Sequence, residues 1–324
     1  MQDSTPGSYQ GTISTRWAHP SVILVATSLD DLDHLMPFAQ AQARQNQARL
    51  ILLHVLRNQA SIAHTDQAVL PFYDPSAAME AASRTLEGYC EKAQLQDVDC
   101  HALLREGSIV QQIAAVARQF NADRLLIGTR GRGKLGKLLL GSVAEQVLRS
   151  VNLPVITVGP EAHLQVDQEG CQPVVLHATT LRETSRPGAA LACQVASCQG
   201  ARLVLLHVLP PVDEMERKGL PTGLQSAAMH ELQRMAQETV GACGIAVEAQ
   251  VVHGNPHIEI LAQAAERKAA LIVLGAGSRN PLESLTRDRV ALRVLAHARC
   301  PVMSLLDSAS HSEPLPVDSM AFHQ

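Results

Sequence analysis

The sequence predicts an α/β protein built from two tandem repeats of an open, mostly parallel sheet with helices on both faces. Three observations predict it. Four short apolar runs recur in the same order in the two halves of the 324-residue chain. Helical patterns of apolar residues lie between those runs. A glycine-rich segment follows the third run of the first half and has an altered counterpart 147 residues later.

The runs are the strands. Val22-Ile-Leu-Val-Ala-Thr-Ser-Leu29 matches Val174-Val-Leu-His-Ala-Thr-Thr-Leu181, and Arg49-Leu-Ile-Leu-Leu-His-Val-Leu56 matches Arg202-Leu-Val-Leu-Leu-His-Val-Leu209. Arg124-Leu-Leu-Ile-Gly128 matches Leu271-Ile-Val-Leu-Gly275, and Pro154-Val-Ile-Thr-Val158 matches Pro301-Val-Met-Ser-Leu305. A short continuous apolar run is the signature of a strand buried on both faces of a parallel sheet. Between them, Ile109, Ile113, Val116 and Phe120 recur at helical spacing, and Ser108 with Gln111 has the spacing of a capping box. Asn255-Pro256 opens the matching helix of the second half with a cap residue and a proline. Strands alternating with helices imply right-handed crossovers, which place helices on both faces.

Composition sets the boundaries. Residues 1–19 read as a loose N-terminal tail, 20–160 as the first domain, 161–172 as a linker carrying glycine and polar residues, 173–307 as the second domain and 308–324 as a C-terminal tail. The connection 57–78 reads either as a lid over a site or as a mobile surface loop. A net charge of −4 and eight Phe, Tyr and Trp residues argue against nucleic acid as a partner, since neither a basic field nor stacking platforms are available. No apolar run reaches the length of about 18 residues that a membrane span needs, and no secretory signal is visible, so a cytoplasmic protein is expected. Seven scattered cysteines without a CxxC pair read as free thiols of a reducing compartment. His54 and His207 stand at matching strand positions with no ligand-spaced neighbours, and read as satisfied strand histidines rather than metal ligands.

The segment 128–142 carries the chemistry. Gly128-x4-Gly133-Lys134 nearly spells a nucleotide-binding P-loop, but Leu135 stands where a magnesium-ligating Ser or Thr is required. Gly131-x-Gly133-x-x-Gly136 spells a dinucleotide fingerprint, but it follows a late strand, and the region that should supply a ribose-binding acid is itself a strand. The whole segment fits a different use. A strand delivers it to the carboxyl edge of the sheet, glycines 128, 131, 133 and 136 bring backbone amides close to an anion, and Gly141-Ser142 starts a helix whose N-terminus favours phosphate. Ser142 with Glu145 has capping-box spacing, and Arg130, Arg132, Lys134 and Lys137 give residues 128–141 a charge of +4. In the second half Ser278, Asp288 and Arg289 replace Gly131, Gly141 and Ser142, and residues 275–288 carry no net charge. Asp288 reads as a helix cap that repels phosphate.

With that segment in view, the chain resembles the nucleotide-binding branch of the universal stress protein family. The resemblance rests on Gly128-x2-Gly131-x9-Gly141-Ser142, on the flanking Leu126-Ile-Gly-Thr-Arg-Gly-Arg132, and on Pro154-Val-Ile-Thr-Val158. It runs from about Val22 to Val158 and from about Val174 to Leu305. It implies a five-stranded, Rossmann-like sheet of the adenine nucleotide alpha hydrolase type in each half. It also implies ATP across the carboxyl edge of the first sheet, with magnesium bound through its phosphates. By resemblance, Gly128, Gly131, Gly141 and Ser142 hold phosphates and ribose, Ala26, Thr27, Ser28, Val55 and Ile127 line the adenine and ribose pocket, and Arg130 and Val143 adjoin the phosphates. Ser28 stands where the family usually carries Asp, and Asp30 or Asp31 is placed to substitute. The resemblance further implies an intramolecular pseudo-dimer through 154–158 and 301–305, with a homodimer of chains as an additional assembly and a regulatory protein as partner.

Three functions compete. The first is an ATP-binding stress protein whose nucleotide state regulates conformation or partners, with no catalytic residues and at most slow hydrolysis. The second is an ATP-consuming enzyme of the same fold superfamily. The third is a nucleotide-free interaction scaffold.

Overall fold

The computed structural model describes residues 15–57, 74–129, 140–164, 172–182, 185–217, 223–275 and 281–305, without side chains at 15, 216–217, 239–242 and 281–288. The first half runs α1 (Thr15–Ala18), β1 (Val22–Thr27), α2 (Leu32–Asn46), β2 (Arg49–Leu56), α3 (Pro75–Gln94), β3 (Cys100–Glu106), α4 (Ile109–Gln119), β4 (Arg124–Gly128), α5 (Ser142–Ser150) and β5 (Val155–Val158). The second runs β6 (Val174–Ala178), α6 (Arg186–Cys198), β7 (Arg202–Leu209), α7 (Val212–Arg217), α8 (Leu224–Cys243), β8 (Val247–His253), α9 (Pro256–Glu266), β9 (Leu271–Gly275), α10 (Pro281–His297) and β10 (Val302–Leu305).

The ten strands form one sheet in the order β3-β2-β1-β4-β5-β10-β9-β6-β7-β8. Each half contributes five parallel strands. The seam joins them antiparallel, with Val302 opposite Thr157, Met303 opposite Ile156 and Ser304 opposite Val155. Both seam strands are buried along their whole length. Pairing removes two bare apolar edges that would otherwise template association with other chains.

Alternation along each strand sends side chains into two layers. Ile23, Val25, Leu50 and Leu52 pack under α2 and α3, whereas Leu24, Ile51, Leu53, Leu125 and Ile127 pack under α4 and α5. Leu176, Leu206, Ile272 and Leu274 form the core under α9 and α10. Within the first half the strand order reverses direction between β1 and β4, and this switch point opens a crevice at the carboxyl ends of those strands.

Four local features differ from the sequence expectation. Residues 15–18, within the stretch read as a loose tail, form α1, because Arg124 accommodates the carbonyls of Trp17 and Ala18. Cys90 near the end of α3 and Cys100 at the start of β3 form a disulfide, with Cα atoms 5.0 Å apart, so not all cysteines are free thiols. Ser108 is the N-cap of α4 but makes no side-chain cap bond. Finally α10 begins at Pro281, so residue 288 lies inside the helix and does not cap it.

Candidate functional site

Three chain segments converge at the carboxyl ends of β1 and β4. Ala26 and Thr27 end β1, with Ala26 in register with Ile127 of β4 and Thr27 in register with His54 of β2. Val55 follows in β2 and is buried, as is Ile127. Ser28 leaves the strand, and Leu29 turns the chain with a φ of 73°. This turn is held by short-range bonds: the Leu29 amide donates to Thr27 Oγ1 at 2.9 Å, and the Ser28 amide donates to Asp31 Oδ1 at 3.1 Å. Thr27 Oγ1 donates to the same Asp31 oxygen. His54 Nδ1 donates to the Thr27 carbonyl at 2.8 Å, which satisfies the histidine within the sheet. His207 repeats that bond on the Thr179 carbonyl at 2.9 Å. No cluster of three metal-ligating side chains occurs among the described residues.

Gly128 has a local reason to be glycine. A Cβ there would lie 2.7 Å from Asp31 Oδ2, so the carboxylate occupies the space a side chain would take. The Asp31 carboxylate therefore stands at the switch point itself, one oxygen engaged by Thr27 and Ser28 and the other over Gly128. Of Asp30 and Asp31, it is Asp31 whose carboxylate stands over Gly128. Its signal in the sequence was weak, because nothing in the spacing separates it from Asp30.

The glycine segment leaves the sheet at Thr129 and returns at Leu140. Thr129 is buried, its amide donates to the Val158 carbonyl at 3.1 Å, and its carbonyl accepts from the Gly141 amide at 2.8 Å. Departure and return are thus clamped together at the base. Gly141 is the extended N-cap of α5, at φ −64° and ψ 143°, and makes no side-chain cap bond. The capping box expected of Ser142 and Glu145 is not formed: Ser142 is the first helical residue, and Glu145 pairs with Arg149 at 3.2 Å. The Gly141 amide being committed to Thr129, the amides of Ser142, Val143 and Ala144 are the ones that have no partner within the helix, with Ser142 exposed. Arg130 and Gly131, also expected at the site, lie outside the described residues.

The described residues of the second half differ at this helix start. There helix α10 already runs from Pro281, whereas α5 begins at Ser142, so chain that matches the returning arm of the first segment is helical. Above Gly275, the counterpart of Gly128, an added Cβ would meet nothing within 4 Å among the described residues.

Comparison with known proteins accords with this architecture. The model of the universal stress protein family matches residues 21–159 and 174–305. A universal stress protein of Mycolicibacterium smegmatis is 25% identical over 297 residues, covering 87% of this chain and 95% of that one. One from Mycobacterium tuberculosis is 28% identical over 184 residues, 56% of this chain and 61% of that protein. Among solved structures, a universal stress protein from Archaeoglobus fulgidus superposes with a TM-score of 0.65 at 20% identity, covering 89% of this chain and 99% of the other. A Pseudomonas aeruginosa protein of unknown function gives 0.62 at 17% identity, covering 91% and 95%. Two family matches in tandem, on the two halves of one continuous sheet, place this chain in the universal stress protein family.

Proposed function

We propose that the first half binds one adenine nucleotide, ATP with magnesium carried on its phosphates, and that occupancy regulates the conformation of the chain or its contacts with a regulatory protein. The observation that carries this reading is the helix start of α5. It presents three amides that lack partners within the helix beside the β1–β4 crevice, at the end of a segment with a charge of +4. Amides and helix dipole together favour a phosphate there. Ala26, Thr27, Ser28, Val55, Ile127 and Gly128 form the adjoining wall that would meet base and ribose. Asp31 supplies an acceptor for a ribose hydroxyl or a base amine, and its charge assigns the phosphates to the α5 side.

A route from the site to the rest of the molecule supports the regulatory part. Leu140, immediately before Gly141, packs against both the α4–α5 core and the core of the second half, and so does Leu148. A ligand that tightens the 128–141 segment therefore acts on a residue wedged between the halves. Such a protein belongs in the cytoplasm, where ATP is abundant, and two chains can associate further through surfaces other than the filled seam.

Equilibrium dialysis with radiolabelled ATP tests the reading. Wild-type protein is expected to bind in the micromolar to millimolar range. Gly141→Asp places a carboxylate at the phosphate position while still able to cap α5, so it should keep the fold and lose at least about tenfold in affinity, or about 1.4 kcal/mol. Absence of binding by folded wild-type protein at millimolar ATP refutes the proposal and leaves the scaffold reading.

A further inference from the structure

Beyond β5 the chain meets the second half, and the contact is made at a glycine. Gly159 follows Val158 directly and is buried. A Cβ added there would lie 3.2 Å from the Ala298 carbonyl oxygen, 3.8 Å from that of Leu295 and 3.8 Å from Thr129 Oγ1. The two carbonyls belong to the end of α10 in the second half: Leu295 lies in its last turn and Ala298 just beyond His297. Backbone thus meets backbone here too closely for a side chain to enter without a shift. Next to it, the Ala162 amide donates to the Gly159 carbonyl at 3.0 Å, and the His163 amide donates across to the Arg299 carbonyl at 3.1 Å. Ala162 and Ala298 are both buried.

Both walls of the β1–β4 crevice reach this residue. From the Asp31 side comes His34. Asp31 is the N-cap of α2, and its carbonyl accepts from the His34 amide at 3.1 Å, so the two share one turn. His34 Nε2 donates to the Gly159 carbonyl at 2.5 Å, and its ring stands edge-on to Phe38 with centroids 5.7 Å apart. From the glycine segment comes Thr129. Its hydroxyl is the third neighbour of the Gly159 position, and its amide holds the Val158 carbonyl. Thr129 in turn accepts from Gly141, the N-cap of α5.

We infer that Gly159 is the relay through which nucleotide in the first half acts on the α10 end of the second half, by way of His34 on the Asp31 side and Thr129 on the α5 side. The relay rests on the nucleotide reading above and names how that site is coupled to the rest of the chain. A nucleotide held between Asp31 and the α5 amides draws the start of α2 and the glycine segment together. Each of them holds the backbone at Val158 or Gly159, so that backbone is ordered as well. The end of α10, packed on it with no side chain between, is ordered with it. The coupling is reciprocal: loosening the α10 end weakens nucleotide binding by the same factor.

Hydrogen exchange of the full-length protein with and without saturating ATP and magnesium, read by peptide mass spectrometry, tests the relay alongside equilibrium dialysis. In wild type, ATP should slow exchange about fivefold or more at 142–150, at 159–164 and at 294–299, and should leave β7 unchanged. His34→Ala removes one arm, yet the Gly159 carbonyl keeps its Ala162 partner, so the variant should fold. It should still bind ATP and keep the slowing at 142–150, while the slowing at 159–164 and 294–299 falls by at least about half. Gly159→Ala presses on the Ala298 carbonyl, so it should speed exchange at 294–299 without nucleotide and weaken ATP binding about fivefold. Circular dichroism and thermal unfolding confirm that both variants are folded. Slowing confined to 142–150 in wild type, an unchanged pattern in folded His34→Ala, or unchanged affinity in folded Gly159→Ala overturns the relay and leaves the nucleotide reading standing. Absence of ATP binding by wild type overturns both.

Discussion

Acid should weaken this fold through one residue, His177, and replacing that residue should remove much of the effect. His177 lies in β6, is fully buried, and bonds the Val273 carbonyl through Nδ1 at 3.0 Å, while Nε2 has no partner. Burial lowers its pKa from 6.5 to about 4, and the bond to Val273 opposes only part of that shift. A histidine with a depressed folded pKa contributes its full stability above the unfolded value and loses it as pH falls. The window is therefore 6.5 down to about 4. A shift of this size corresponds to about 3 kcal/mol in total, of which about 2 kcal/mol is lost between pH 7 and pH 5. The first half offers the control substitution, because Val25 stands at the matching position of β1. Urea unfolding of wild type and His177→Val at pH 7 and pH 5 measures the difference. The variant should lose about 2 kcal/mol less than wild type over that interval, whatever its stability at pH 7. Since His207 is present in both proteins, its own lowered pKa cancels in the comparison. Equal losses in the two proteins would show that His177 does not take up its proton on unfolding, and the reasoning would fail.

Three further outcomes follow from the geometry. Reduction of Cys90–Cys100, which are separated by 10 residues, should destabilise the protein by about 2.7 kcal/mol on the loop-entropy scale, seen as a lower thermal midpoint in reductant that Cys90→Ser does not share. Gly128→Ala should displace Asp31, whose Oδ2 would lie 2.7 Å from the new Cβ, and so should weaken the Thr27 and Ser28 bonds at a cost of about 1–2 kcal/mol. Denaturant unfolding reads the loss. Leu140→Ala should cost about 1–2 kcal/mol, less than a fully buried leucine, and should raise amide hydrogen exchange in both halves rather than in the first alone.

The strands legible in the sequence were those with two buried faces. The runs at 22–27, 49–56, 124–128 and 155–158 and their mates in the second half are continuous and apolar, and each is a strand of the inner sheet. The edge strands β3 and β8 gave no such signal. Their residues are mostly half-exposed, because each has a neighbour on one side only, and His101, Arg105, Glu248 and Gln250 interrupt the apolar pattern. The site divides in the same way. Ala26, Thr27, Val55, Ile127 and Gly128 lie at the carboxyl ends of β1, β2 and β4, and Gly141 is tied to Thr129 just beyond β4. The commitment of the Gly141 amide and the seating of Asp31 over Gly128 depend on the path of the backbone through a turn, which periodicity does not encode. Matching residue to residue also misled at Asp288. Position-by-position alignment makes it a cap, but the second copy keeps its chain helical from Pro281 onward, and a cap cannot lie inside a helix.

That last difference bears on why two copies share one chain. A pair of identical halves would present two equivalent helix starts, one on each side of the seam. Here α5 starts at Ser142, and its first amides lack partners within the helix, whereas α10 starts earlier and builds the matching stretch into helix. The seam strands β5 and β10 stay paired and buried in both roles, so the loss of one helix start costs the sheet nothing. What the second half gains is core: Leu140 and Leu148 of the first half pack against it. The segment that starts α5 is therefore seated on a neighbour of fixed identity. In a dimer of separate chains that seat would depend on concentration, whereas fusion makes it permanent. Asymmetry between the halves is thus a means of coupling one helix start to the whole sheet, and the Leu140→Ala exchange pattern is the direct measure of that coupling.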